Sequence, residues 1–177
     1  LGGLIEGDLA ETWEVQDGGL TVVFKLREGI TFQRNSSLPA EIMDQASGDS
    51  FTCEDAQASL DFAVNPPEGI LHSGPRAALN HMSGSSCVDD YTFKVTFEEA
   101  LARTIPQFAG ALGMPHNMDK DFIDWYLNHY NTTDPQENFL DQTTPETYLY
   151  GTGTGAFVPH EFEVDVQSKI RANPDYW

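Results

Sequence analysis

Gly151, Gly153 and Gly155 alternate with Thr152 and Thr154 in the stretch YGTGTGAF, residues 150 to 157. A backbone this free of side chains can aim several N–H groups at a phosphate. Nucleotide chemistry requires more than glycines. A phosphate loop of the Gly-Lys-Ser/Thr kind opens a helix, and a dinucleotide loop lies between a strand and a helix. Here Ala156, Phe157, Val158 and Pro159 follow and read as a strand. The glycines are therefore expected to form a turn that lets backbones approach closely.

The other reactive residue types form no catalytic pattern. Gly84-Ser85-Ser86-Cys87 does not fit Gly-x-Ser-x-Gly, and no strand-turn-helix signal surrounds it. The pairs Asp89-Asp90 and Glu98-Glu99 bracket a strand-like run and read as its surface ends rather than as an acid and a base. Cys53 and Cys87 are the only cysteines, and none of His72, His81, His116, His129 and His160 lies at ligand spacing beside either one. They are two buried thiols or one disulfide. No calcium loop is present. Neither a catalytic residue nor a metal or cofactor site is assigned, and no cofactor is expected. Trp13, Trp125 and Trp177 read as core or interface anchors. Asn35-Ser36-Ser37 and Asn131-Thr132-Thr133 match the glycosylation pattern, a short pattern that is common by chance.

The totals restrict the partners. The chain has 177 residues, with 28 Asp plus Glu against 9 Lys plus Arg, a formal charge of −19. Such a surface repels nucleic acid and anionic membranes and keeps the protein soluble. No run approaches the roughly 18 apolar residues of a membrane-spanning helix, and no basic-then-apolar leader opens the chain. The start at Leu1 and the terminal Tyr176-Trp177 pair suggest a piece of a longer protein. At 40% hydrophobic content, residues 1–177 are expected to form a single domain.

Several elements stand out. Residues 9–16 and 20–27, split by Asp17-Gly18-Gly19, predict a β-hairpin. Residues 33–50 are rich in Ser, Asp and Asn, lack a sustained period, and are expected to be a surface loop. Thr52 caps a helix, with Asp55 completing a capping box, Ala56, Leu60, Ala63 and Val64 on one face, and Pro66-Pro67 as the stop. In DDYTFKVTFEE, residues 89–99, Tyr91, Phe93, Val95 and Phe97 share one side of a strand. Residues 105–113 suggest a short apolar helix. Asp119 caps another, which runs to about Asn128 and buries Phe122, Ile123, Tyr126 and Leu127. Residues 131–150 read as a long surface connection, and AFVPHEFEV and VQSKIRANP as two strands. The class is α+β, a mixed and mostly antiparallel sheet with flanking helices.

Taken in order, LAETWEVQDGGLTVVFKLREGITF, GDSFTCEDAQASLDFA, CVDDYTFKVTFEEALA and GTGAFVPHEFEVDVQSKIRANPDYW resemble the extracellular solute-binding proteins, family 5, of oligopeptide, dipeptide and nickel importers. That family's usual phrases run L-A-E-S-W-E-V, F-x-L-R-x-G-V-x-F, D-G-x-P-x-T-A-E-D-V, D-D-Y-T-V, G-T-G-P-Y and R-N-P-x-Y-W. Ala156 replaces the usual Pro, Phe162 stands where Trp is common, and Ala172 precedes Asn173-Pro174 in place of Arg. Residues 33–47 look like an insertion.

The resemblance implies a subdomain of a type II periplasmic-binding-protein-like fold, a partial N-terminal lobe whose second lobe is absent. It implies no enzyme. The expected role is the substrate-binding component of an ABC importer, a monomer that closes on its solute and delivers it to a membrane permease. The solute would be a peptide, with an oligosaccharide or a nickel complex as alternatives. The resemblance also implies an extracytoplasmic place, periplasmic or at the cell surface, with a lipoprotein tether as one form. Disulfides persist there, so it favours a Cys53–Cys87 bridge. It identifies no ligand-contact residue. The competing functions are a carboxylate-dependent hydrolase and an interaction or sensory domain that reuses the fold.

Overall fold

Alternating side chains build the first sheet. The computed structural model describes residues 5–66, 79–100, 102, 104–111, 117–129, 152–163 and 165–177. They fall into two compact units, the first drawn from Leu1–Glu28, Thr52–Pro66 and Leu71–His116 and the second from Gly29–Phe51 and Asn117–Trp177. In the first unit, strands β1 (Ala10–Gln16) and β2 (Thr21–Leu26) form the expected hairpin. Asp17, Gly18 and Gly19 all take positive φ in the turn. Asp tolerates that region through local hydrogen bonds, and the Thr21 hydroxyl donates to Asp17 Oδ2 at 2.8 Å.

Two more strands, β3 (Met82–Asp89) and β4 (Thr92–Phe97), complete an antiparallel sheet of order β1-β2-β4-β3. Val22 lies opposite Val95 and Phe24 opposite Phe93. Their side chains, with Leu26 and Phe97, are buried, and Phe108 tilts onto Phe24 at 5.0 Å. Phe108 belongs to a π-helical turn, Gln107–Ala111, that follows the helical turn Thr104–Pro106. Removing an aromatic from such a layer typically costs about 3–5 kcal/mol.

Helix α2 (Cys53–Val64) packs on β3 and β4 of this sheet. Its start is a capping box, in which Asp55 Oδ2 accepts from the Thr52 backbone N–H at 2.7 Å and from the Thr52 hydroxyl at 2.9 Å. Ala56, Leu60 and Ala63 are buried as the period requires.

In the second unit, residues 33–50 are not simply a surface loop. Helix α1 (Ala40–Ala46) lies within them, and Leu38, Ile42 and Ala46 pack with Phe122, flanked by Met43 and Trp125. Only two apolar turns were needed, too few to show a period among so many polar neighbours. Asn35 is also inside, at 1% exposure, with its Oδ1 accepting from Ser37 N–H at 2.9 Å, so the folded chain offers no glycan acceptor there.

Helix α3 (Lys120–His129) is capped by Asp119, whose Oδ1 accepts from Phe122 N–H at 3.0 Å. Phe122, Ile123 and Tyr126 are buried, whereas Leu127 is 41% exposed and drops out of the expected stripe. Strands β5 (Phe157–Glu163) and β6 (Gln167–Ala172) pair antiparallel as a two-stranded sheet of their own. The connection at 131–150, the Asn131 pattern, Gly151, His72 and His116 lie outside the described residues.

Candidate functional site

The glycine loop is occupied by the protein itself. Gln33 N–H donates to Gly153 O at 2.9 Å. The buried Gln33 amide, oriented to satisfy both its ends, donates to Phe157 O at 2.9 Å and accepts from Gly153 N–H at 3.3 Å. Asn173 closes the other side, its Nδ2 donating to Gly155 O at 3.0 Å and its backbone N–H to Ala156 O at 2.8 Å. Thr152 Oγ accepts from Asp119 N–H at 3.3 Å. These bonds fix the entry to β5 and engage the Gly153 N–H within the protein.

Backbones do approach closely here, at Gln33–Gly153 and Asn173–Ala156, but the approach does not itself require glycine. Neither Gly153 nor Gly155 has positive φ. A Cβ at Gly153 would meet the Gln33 amide at an ordinary 3.7 Å, and one at Gly155 would meet nothing within 4 Å. Nothing in the structure explains why glycine stands at 155.

A concave surface lies in the first unit, at the C-terminal end of α2 and the start of β3. The cleft measures about 450 Å3 and joins Asp61, Asn65, Asn80 and Ser83 to the apolar Val64, Leu79 and Met82. Helical spacing sets Asp61 and Asn65 one turn apart. Ser85 Oγ donates to Asp61 Oδ1 at 3.2 Å, and Gln57 Nε2 donates to Ser85 O at 3.4 Å, which ties α2 to β3 along this flank. Partial desolvation raises the Asp61 carboxyl above its ordinary 3.8, and the Ser85 bond opposes that shift.

A serine held only by a carboxylate lacks the imidazole that would take its proton. The arrangement offers hydrogen bonds and a negative charge to a small polar group. The sequence hid it because Asp61 and Ser85 meet only across the helix-sheet contact.

The remaining candidates are placed as follows. Cys53 and Cys87 are joined as a disulfide, with Cα atoms 5.7 Å apart, linking the first turn of α2 to β3. Asp89 ends β3, at the turn into β4. Its carboxylate accepts from the Thr92 hydroxyl at 2.8 Å and Tyr91 N–H at 3.0 Å, and lies 3.9 Å from Lys25 Nζ. Those bonds, the Thr92 hydroxyl first, hold it below its ordinary value. His81 is buried and stacked on Phe97 at 5.1 Å. Among the described residues, no three His, Cys, Asp or Glu side chains gather as metal ligands, and no helix is long and apolar enough to cross a membrane.

Residues 5–177 match the family described as bacterial extracellular solute-binding proteins, family 5 Middle. The chain belongs to this family.

Curated relatives of this family 5 chain include heme-binding protein A of Haemophilus influenzae, 28% identical over 98% of the chain and 29% of that protein. Di/tripeptide-binding protein 1 of Pseudomonas aeruginosa is 25% identical over 96% of the chain and 29% of that protein. The chain therefore spans less than a third of the length of these relatives.

Among solved structures, DppA of Helicobacter pylori in complex with the peptide STSA superposes with a TM-score of 0.66. It is 22% identical and covers 97% of this chain, which in turn covers 31% of it. AppA of Bacillus subtilis, bound to a nonapeptide, also gives 0.66, at 19% identity over 96% of this chain and 28% of AppA. These likenesses establish the fold, part of a type II periplasmic binding protein.

Proposed function

We propose that this chain is part of the N-terminal lobe of the substrate-binding component of an ABC importer. The whole protein captures a peptide or similar small polar solute outside the cytoplasm and delivers it to a membrane permease. The observation that carries this reading is the family match over nearly the entire chain. Relatives named for di- and tripeptides, oligopeptides and heme support a small solute.

The Cys53–Cys87 bridge supports an extracytoplasmic location, since such links are rare where thiols are kept reduced. The protein acts as a monomer and performs no chemistry. A thermal-shift screen of the full-length protein against di- to octapeptides, hemin, cello- and xylo-oligosaccharides and nickel–histidine tests the solute. Binding raises the midpoint with ligand concentration. A rise with peptides is the expected result, and a rise with sugars alone overturns the peptide assignment.

A further inference from the structure

The cleft between the end of α2 and the start of β3 combines one charge with an apolar wall. Its volume, about 450 Å3, lies within the roughly 300–1,000 Å3 of small-molecule clefts. Leu79, 1% exposed, and the half-buried Val64 and Met82 supply the apolar lining. Asp61 supplies the charge, and no Lys, Arg or His lines the cleft among the described residues. Its Oδ1 accepts from the Ser85 hydroxyl, and its Oδ2 accepts no bond among the described residues.

The helix reinforces that charge. α2 carries Glu54 and Asp55 in its first turn and no basic residue in its last, so no side chain there offsets the negative end that Val64 and Asn65 bring to the cleft. The Pro66-Pro67 pair that follows brings no N–H to that end.

A cation suits this site and an anion does not. A calcium ion would need about six to eight oxygen ligands where a single carboxylate stands. An amino acid or a peptide would bring a carboxylate that finds no basic partner in the cleft. An organic ammonium satisfies Asp61, and a hydrocarbon stem satisfies the apolar wall. We propose that the cleft binds a protonated primary amine carried on a short unbranched hydrocarbon chain and lacking a carboxylate. The ammonium donates to Asp61 Oδ2 and the chain lies along Leu79, Val64 and Met82. The assignment does not depend on which solute the whole protein delivers.

The test titrates the full-length protein, with isotope-labelled methionine methyl groups, with pentylammonium chloride. NMR follows the Met82 methyl signal, assigned by its loss in Met82→Leu. The expected result is a saturable shift that n-pentanol, pentanoate and norleucine do not produce. Asp61→Asn is expected to weaken the affinity about fivefold, the upper end for an ion pair near the surface, and Asp61→Glu to keep most of it. No shift at Met82 overturns the proposal. A shift that never saturates also does, since it reduces the effect to the general attraction of an acidic surface for cations. So does an equal response to n-pentanol or norleucine, or an affinity unchanged in Asp61→Asn. The contrast between pentylammonium and n-pentanol is read on the unmodified protein, so it decides even if a variant misfolds. The solute screen can fail without altering this contrast, so the two readings fail separately.

Discussion

Reducing the Cys53–Cys87 bridge should weaken the first unit by an amount set by the loop it closes. The two cysteines are 34 residues apart in sequence. In the chain-entropy description, a loop of that length removes roughly 12–13 cal/mol/K from the unfolded ensemble, about 4 kcal/mol at 25 °C. For a chain of this size, each kcal/mol moves the thermal midpoint by about 2–4 °C, so the expected drop is roughly 8–16 °C.

The assay is thermal unfolding of the oxidised protein, the reduced protein and a Cys53→Ala/Cys87→Ala variant, with free thiols counted at the start of each scan. The first unit is followed by Trp13 fluorescence after Trp125 and Trp177 are replaced by Phe. The reduced protein and the double variant should fall together, because both lose the same constraint. A reduced sample with two titratable thiols that melts within about 1 °C of the oxidised one would refute the reasoning, since the loop term would then be absent.

Further outcomes follow from packing, backbone and charge. Ile42→Ala should cost about 2–5 kcal/mol by urea denaturation, because Ile42 is buried between α1 and α3. Leu127→Ala should stay within about 0.5 kcal/mol, as expected of a surface position. Gly19→Ala should destabilise by more than about 1 kcal/mol, since Gly19 has φ +101° and its Cβ would come 2.9 Å from that of Ala100. Gly155→Ala, with open space and ordinary φ, should be neutral or stabilising by about 0.4–1 kcal/mol.

NMR titration should place Asp61 above 3.8 and Asp89 below it. Burial disfavours ionised Asp61, so its relative stabilisation is full below 3.8 and is lost as pH rises through the higher folded value. Asp61→Asn should remove that loss. Asp89 behaves oppositely: its stabilisation is present above 3.8 and is lost as pH falls through its lower folded value. Reversed titration directions would count against both assignments.

Local patterns were legible where one physical cause dominated. The alternation of Phe93, Val95 and Phe97, the Thr52–Asp55 cap and the Asp17-Gly18-Gly19 turn each required only neighbours in sequence. Helix α1 was hidden because two buried apolar turns do not make a visible period, and its partner Phe122 lies 80 residues away from Ile42. Leu127 followed the helical stripe on paper yet fell outside the buried arc. The same limit applies to the cleft. Asp61 was one carboxylate among many until the fold of the first unit brought Ser85 beside it. The strand after the phosphate-like loop was legible in Phe157 and Val158, whereas the loop's tie to Gln33 required the tertiary structure.

That tie has a temporal side. Gln33 belongs to a stretch whose partners, at Gly153 and Phe157, arrive only about 120 residues later. At roughly 5–20 residues per second, a growing chain carries Gln33 unmatched for about 6–24 s. Meanwhile the residues that form the first sheet, including both halves of the disulfide, have already been made. The second unit is thus a bracket opened early and closed late around a segment that completes the first sheet. Sequences that slow unproductive collapse of residues 29–51 would be favoured during that wait, and the polar character that disguised α1 as a loop is suited to it.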